Sequence, residues 1–200
     1  MLLLEILAFL VWLYIVWTLK RANLKFFRYI TGTVGTFIFM LLWIEGWIVV
    51  PMMRAVAYVS GLVGELTGLY DSYYRYCMLF IPKNTASISL YVDFECSGVI
   101  EIMAFLALLW FFEIYSGKEK IKYSILGVLF IFVANVVRIF TICIIIYYGG
   151  NDWFYFAHSI FGRIVFYALT VYLYFSVFTK PHIERQKVGQ FSYEKEEEDE

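Results

Sequence analysis

Charge is scarce in this chain. Only 16% of its 200 residues are Asp, Glu, Lys or Arg, against 62% hydrophobic and 22% aromatic. A soluble domain of this length holds about 45–50% apolar residues, so a freely soluble globular fold is excluded. Cysteine is limited to Cys77, Cys96 and Cys143, with no CxxC spacing, which removes a zinc knuckle and a thioredoxin-like pair. There is no HExxH, no Gly-rich phosphate loop and no basic stripe on a soluble domain. Nucleic acid is therefore not an expected partner, and no metal or organic cofactor is indicated. The first apolar stretch lacks a basic leader and a small-residue cleavage site, so it reads as a retained helix, not a cleaved signal peptide. The net charge of −1 says nothing about partners, because the charges are segregated into blocks.

What the chain has is long apolar runs. A membrane-spanning helix needs about 20 mostly apolar residues. Five stretches qualify: 2–19, 34–53, 99–115, 123–148 and 160–178. The fold class is thus an all-α polytopic integral membrane protein, with about five transmembrane helices and the lipid bilayer as its partner. Residues 55–70 carry Gly61, Gly64, Glu65 and Gly68 and read as a sixth helix, interfacial or re-entrant. Basic residues set the orientation by the preference of Lys and Arg for the cytoplasmic side. Lys20, Arg21, Lys25 and Arg28 follow the first span; Lys118, Lys120 and Lys122 follow the third; Lys180, Arg185, Lys187 and Lys195 follow the fifth. Five alternating spans put all of them inside, with the N-terminus outside.

This gives one transmembrane domain, residues 1–179, and a charged cytoplasmic tail, 180–200, whose acidic end (193–200) is expected to be solvated. Two segments face outward: 54–98 and 149–159. Within the first, Ile88, Leu90, Val92 and Phe94 alternate after Pro82 and Asn84, which predicts a short strand-like element leading to Cys96.

Three polar residues stand out against this background, because lipid excludes such groups unless they have partners and a purpose. Cys96 opens Cys96-Ser97-Gly98 at the start of the third run. Ser97 as helix N-cap would place the thiol within a turn of a helix N-terminus, which favours the nucleophilic thiolate. Asp93, Glu95 and Glu101 oppose this, so a reactive Cys96 needs a cation. Arg138 supplies one: Asn135, Arg138 and Thr141 share one helix face, which must look into the bundle. Its helix places Arg138 about 15 Å below an outer end at Tyr148, so the site must be sunk below the surface. His158, read as part of an aromatic loop before the last helix, can exchange protons near neutral pH.

Plainer readings stand beside these. Cys96 can be an ordinary semi-buried thiol, or bonded to Cys77. Arg138 can pair with Glu101 or Glu45 to lock helices together. His158 can belong to the interfacial aromatic belt. Arg163 is a second cation or a snorkelling anchor; Cys143 reads as a core thiol. Glu113 has no assigned role, and His182 lies beyond the last span, away from this group.

The residues Glu95-Cys96-Ser97-Gly98, Asn135-Val136-Val137-Arg138-Ile139 and then His158 resemble the exosortase and archaeosortase group of membrane cysteine transpeptidases, over roughly residues 75–175. The compact chain is similar to the small subtype found in Gram-positive bacteria. The resemblance implies a multi-pass protein of the bacterial cell membrane that cuts the C-terminal sorting tails of exported proteins at the outer face. It would then transfer them to a cell-surface acceptor. It makes Cys96 the nucleophile, Arg138 its electrostatic partner and His158 the acid/base, with Asn135, Ser97 and Glu101 in support. Two other readings stay open: a substrate-binding membrane subunit of a small-molecule importer, in which Asn135 and Arg138 grip a polar solute, and a scaffold for surface-polymer assembly.

Overall fold

A computed structural model describes residues 2–82, 87–181 and 183. Arg185, Lys187, Lys195, the acidic stretch 193–200, His182 and Asn84 lie outside these residues. These residues fold into six α-helices and a small antiparallel sheet. Among the described residues five helical stretches are long and apolar enough to cross a membrane, so the chain is an all-α polytopic membrane protein.

The apolar runs do not map one-to-one onto helices. Helix α1, Leu2–Arg21, matches its run. The expected second span, 34–53, is not a unit: α2 covers Lys25–Trp43 and α3 Glu45–Thr67. Ile44 between them keeps a right-handed helical backbone, and its N–H still donates to Met40 O at 2.9 Å. The N–H of Ile48 donates to Ile44 O at 3.2 Å, so α2 and α3 run on as one helical rod. Residues 55–70, expected as a separate interfacial or re-entrant piece, are mostly the far half of this rod. Helix α4, Val99–Phe111, is only 13 residues, about 20 Å, and stops short of the expected 115. Helix α5, Gly117–Gly149, runs for 33 residues. It starts earlier than expected because Ser116 and Glu119 form a capping box, Glu119 Oε2 accepting from the Ser116 N–H at 2.8 Å. Helix α6, Gly162–Tyr174, is entered through a 3₁₀ turn (Asn151–Trp153) and a π-helical stretch (Phe156–Phe161).

Side-chain contacts define two ends of the bundle. At one end Glu113, just past α4, accepts from Arg28 and lies 4.0 Å from Lys25, both in the first turn of α2. Lys120 donates to Trp110 O at 2.7 Å, and Tyr115 donates to Val177 O at 2.7 Å. The loop after α1, the α4–α5 connection and the far end of the last helix are therefore neighbours. The basic clusters at Lys20–Arg28 and Lys118–Lys122, with Lys180, share this end.

The opposite end carries the sheet. Strands β1 (Asp71–Tyr73), β2 (Met78–Ile81) and β3 (Ile88–Tyr91) pair antiparallel in that order. The expected extended element is thus β3, and the expected alternation holds, with Leu90 and Val92 turned into the core. The sheet lies on α3: Tyr70 donates to Ser60 O and Ser72 to Ala57 O, each at 2.8 Å. A β-carbon on Gly61 would stand 2.3 Å from Ser72 Cβ, so this glycine permits the close approach. Met53, Val56, Leu79, Ile139 and Ile142 form the core at this end.

Candidate active site

Three separate elements bring Cys96, Arg138 and His158 together. The thiol sits in a tight turn between β3 and α4. The Cys96 N–H donates to Asp93 Oδ1 at 2.9 Å, and the Ser97 hydroxyl donates to Phe94 O at 2.6 Å. Asp and Ser side chains close such turns because they satisfy backbone groups locally. The helix cap is Gly98, not Ser97 as the sequence suggested. Gly98 holds φ at +75°, a left-handed conformation open to glycine at low cost. Ser97 sits one residue earlier, where its Oγ accepts from the Val99 N–H at 3.3 Å. Cys96 still lies within a turn of the α4 N-terminus.

Helix α5 contributes Asn135 and Arg138 from its buried face, 0% and 4% exposed. Asn135 Nδ2 donates to Cys96 O at 2.5 Å, tying the backbone of Cys96 itself to α5. Arg138 Nη2 lies 3.7 Å from Cys96 Sγ, and Nη1 donates to Glu95 O at 3.5 Å. The guanidinium also lies 5.6 Å from the centre of the Phe166 ring on α6, a cation–π contact. Among the described residues no carboxylate pairs with it, so the expected alternative locks to Glu101 or Glu45 are not formed. Glu101 lies half-buried in the first turn of α4. Thr141 leaves the stripe and donates to Val137 O of its own helix.

His158 was expected in a loop; it stands instead in the π-helical stretch Phe156–Phe161. Such segments insert a residue into the helical repeat and are frequent at functional sites. Its Nε2 is 3.3 Å from Cys96 Sγ. Phe154, four residues earlier, stacks on the ring at 4° between planes and 5.8 Å between centres. Arg163 is a second cation at this end: it pairs with Glu95 at 3.5 Å, next to Cys96 in the chain. Cys77 and Cys143 are buried, and all three thiols are free, so no Cys77–Cys96 bridge forms.

The depth follows from unequal helix lengths. Gly98 packs against Asn135, which lies about 20 Å short of the Gly149 end of α5. A 13-residue α4 therefore brings Cys96 down to the level of Arg138. Burial governs the electrostatics there. Cys96 is 3% exposed, and its thiol is pushed up to about 12, chiefly by burial. Arg138 pulls it down, while Asp93 and Glu95 push it up again. The helix terminus and one cation do not outweigh desolvation and two carboxylates, so the preformed thiolate favoured by the sequence argument does not result. The resting group is a neutral thiol with an imidazole nitrogen in reach of its proton.

Sequence reasoning missed Asp93 as the acceptor for Cys96, and Phe154 and Phe166 as the rings against His158 and Arg138. The i, i+3 spacing from Asp93 to Cys96 and the i, i+4 spacing from Phe154 to His158 were the available signs.

The sequence model of one family, described as transmembrane exosortase, matches residues 1–175. No curated protein and no solved structure matches the chain.

Proposed function

The chain belongs to the transmembrane exosortase family, and we propose that it is a membrane cysteine peptidase/transpeptidase acting on the C-terminal sorting tails of exported proteins. The observation that carries this reading is the 3.3 Å approach of Cys96 Sγ to His158 Nε2, with the Arg138 guanidinium 3.7 Å from the same sulfur.

The chemistry follows from a thiol that is neutral at rest. As Sγ attacks the scissile carbonyl carbon, its proton passes to His158 Nε2, and the S–C bond forms while the carbonyl becomes an oxyanion. For that transfer the resting imidazole carries its proton on Nδ1. Arg138, desolvated and in an ion pair with no carboxylate among the described residues, stabilises the oxyanion more strongly than it would in water. Collapse breaks the C–N bond; the leaving amine takes the proton from His158, and a thioester remains on Cys96. An incoming water or amine then gives a proton to His158 as it attacks the thioester, and the proton returns to Sγ as the thiol leaves. Water makes the reaction a hydrolysis, and an amine of a cell-surface acceptor makes it a transfer. Asn135 holds the Cys96 backbone in place for both halves. Ser97 shapes the turn, and Glu101 supports the same end of α4.

The basic end of the bundle is read as cytoplasmic, by the bias of Lys and Arg, in a bacterial cell membrane. The sheet and the site then face outward, with the N-terminus also outside. The test compares exported proteins by intact mass in cells carrying the parent chain, Cys96→Ala or His158→Gln, at matched membrane abundance. The expected result is that both variants accumulate proteins that keep their C-terminal tails. Normal processing by Cys96→Ala would end the enzyme reading.

A further inference from the structure

The two outer strands of the sheet are placed differently. Strand β1 is held against α3 by its side chains: Ser72 Oγ donates to Ala57 O, and Gly61 lets the helix press on the strand. The β3 edge pairs with no strand among the described residues, and β3 packs chiefly on β2. Its sequence, Ile88-Ser89-Leu90-Tyr91, carries neither charge nor proline, two of the guards that proteins place on open edges.

The register tells which backbone groups are free. Cys77 and Val92 extend the β2–β3 pairing by one step, and the Val92 N–H donates to Cys77 O at 2.8 Å. Bonded pairs alternate with non-bonded ones in an antiparallel ladder. Leu90 and Ile88 therefore turn their N–H and C=O toward β2, whereas Ser89 and Tyr91 turn theirs to the open side. Five residues beyond Tyr91 is Cys96, drawn back by the Asp93–Ser97 turn. The outer face of the sheet adds a trough of about 370 Å³ floored by Tyr73, Met78 and Phe80.

We propose that the β3 edge is the substrate cradle: an extended segment of the substrate polypeptide pairs with Ser89 and Tyr91 as a fourth strand and is delivered to the Cys96 thiol. Strand addition draws affinity from main-chain hydrogen bonds and leaves sequence preference to side-chain pockets. This rests on Cys96 being the acylating thiol. An extended polypeptide is favoured over a second copy of the chain because the open edge runs straight into the nucleophile's turn.

The test uses the full chain in lipid nanodiscs, with Cys77 and Cys143 replaced by Ser. Cys96 is labelled with two electrophiles: iodoacetamide, which has no peptide to pair, and acetyl-tetra-alanyl acyloxymethyl ketone. The peptide probe is also made with one backbone nitrogen methylated at a time. Ser89→Pro removes an outward N–H and no ladder bond. It is expected to slow peptide labelling about tenfold and leave the iodoacetamide rate within about twofold. On the parent chain, methylation is expected to slow labelling at alternate residues only, the period of a strand. That alternation decides the matter if Ser89→Pro fails to fold and loses both reactions together. Equal rates for every methylated probe and for Ser89→Pro overturn the cradle while leaving the thiol site intact. A dimer that Ser89→Pro converts to a monomer overturns it in favour of a second copy on the edge. Labelling of Cys96 that is indifferent to His158→Gln overturns the thiol-site reading beneath it.

Discussion

At the scale of single residues, the sulfur of Cys96 answers to opposing influences, and burial is the largest of them. A thiol pushed up to about 12 is protonated throughout the physiological range, so its spontaneous reactivity follows the small thiolate fraction. With Cys77 and Cys143 replaced, alkylation of Cys96 by iodoacetamide is expected to rise about tenfold per pH unit from 7 to 10, without a plateau. Because Arg138 favours the charged sulfur, Arg138→Gln moves the thiol further up and slows alkylation at every pH in that window. A plateau near pH 7, or no change on losing Arg138, would contradict this account. The reactive trio was legible in the sequence because a thiol, a guanidinium and an imidazole stand out in a chain that is 62% hydrophobic. Phe154 and Phe166 were not, since two rings among so many aromatic residues carry no distinguishing mark. The thiol's electrostatic balance was misjudged for another reason. Charges near Cys96 can be counted along the chain, but its 3% exposure depends on the tertiary cover.

At the scale of elements, hydropathy located the apolar runs and lost their divisions. The break at Ile44 lies inside an apolar stretch whose one charged mark there is Glu45, the first residue of α3. The end of α4 at Phe111 is followed by Phe112 and then Glu113, a charge that the expected span to 115 carries inside it. The alternation before Cys96 did expose β3, because one face of that strand is buried and its period of two survives in the sequence. Its partners β1 and β2 went unrecognised: β1 is three residues long, and β2 is apolar at all four positions, so its alternating burial leaves no period of two in the sequence. The seam between α3 and β1 depends on Gly61, where an added β-carbon meets Ser72 at 2.3 Å. Gly61→Val is expected to cost about 1–3 kcal/mol by overpacking, pushing the sheet off the helix. Amide exchange should then quicken in β1 and β2 while α1 and α2 stay protected. Unchanged exchange in the sheet would show that the seam yields without strain.

At the scale of the whole molecule, the distribution of basic residues anticipated the bundle. The described clusters gather at one end, joined by the Arg28–Glu113 contact and its neighbours, and the thiol, the imidazole and the sheet stand at the other. Cysteines introduced at Ser89 and Lys118, in a chain without its native thiols, should separate the two faces. A membrane-impermeant maleimide added to intact cells is expected to label the first and spare the second; the reverse pattern would invert the orientation. The short α4 has one more consequence. A helix of 13 residues covers about 20 Å, and a bilayer's hydrocarbon core is about 30 Å thick. Helices α2, α3 and α5 cover α4, Trp110 being its one exposed residue, so the shortfall of about 10 Å is a step inside the bundle and not a gap that lipid fills. The depth of the thiol is then set by helix packing, and the bilayer outside has little hold on it. In phosphatidylcholine bilayers of increasing acyl length, labelling of Cys96 should stay within about twofold, whereas a steady slowing would show that lipid mismatch sets its access. The protein thereby carries its own depth for the thiol, whatever the thickness of the membrane around it.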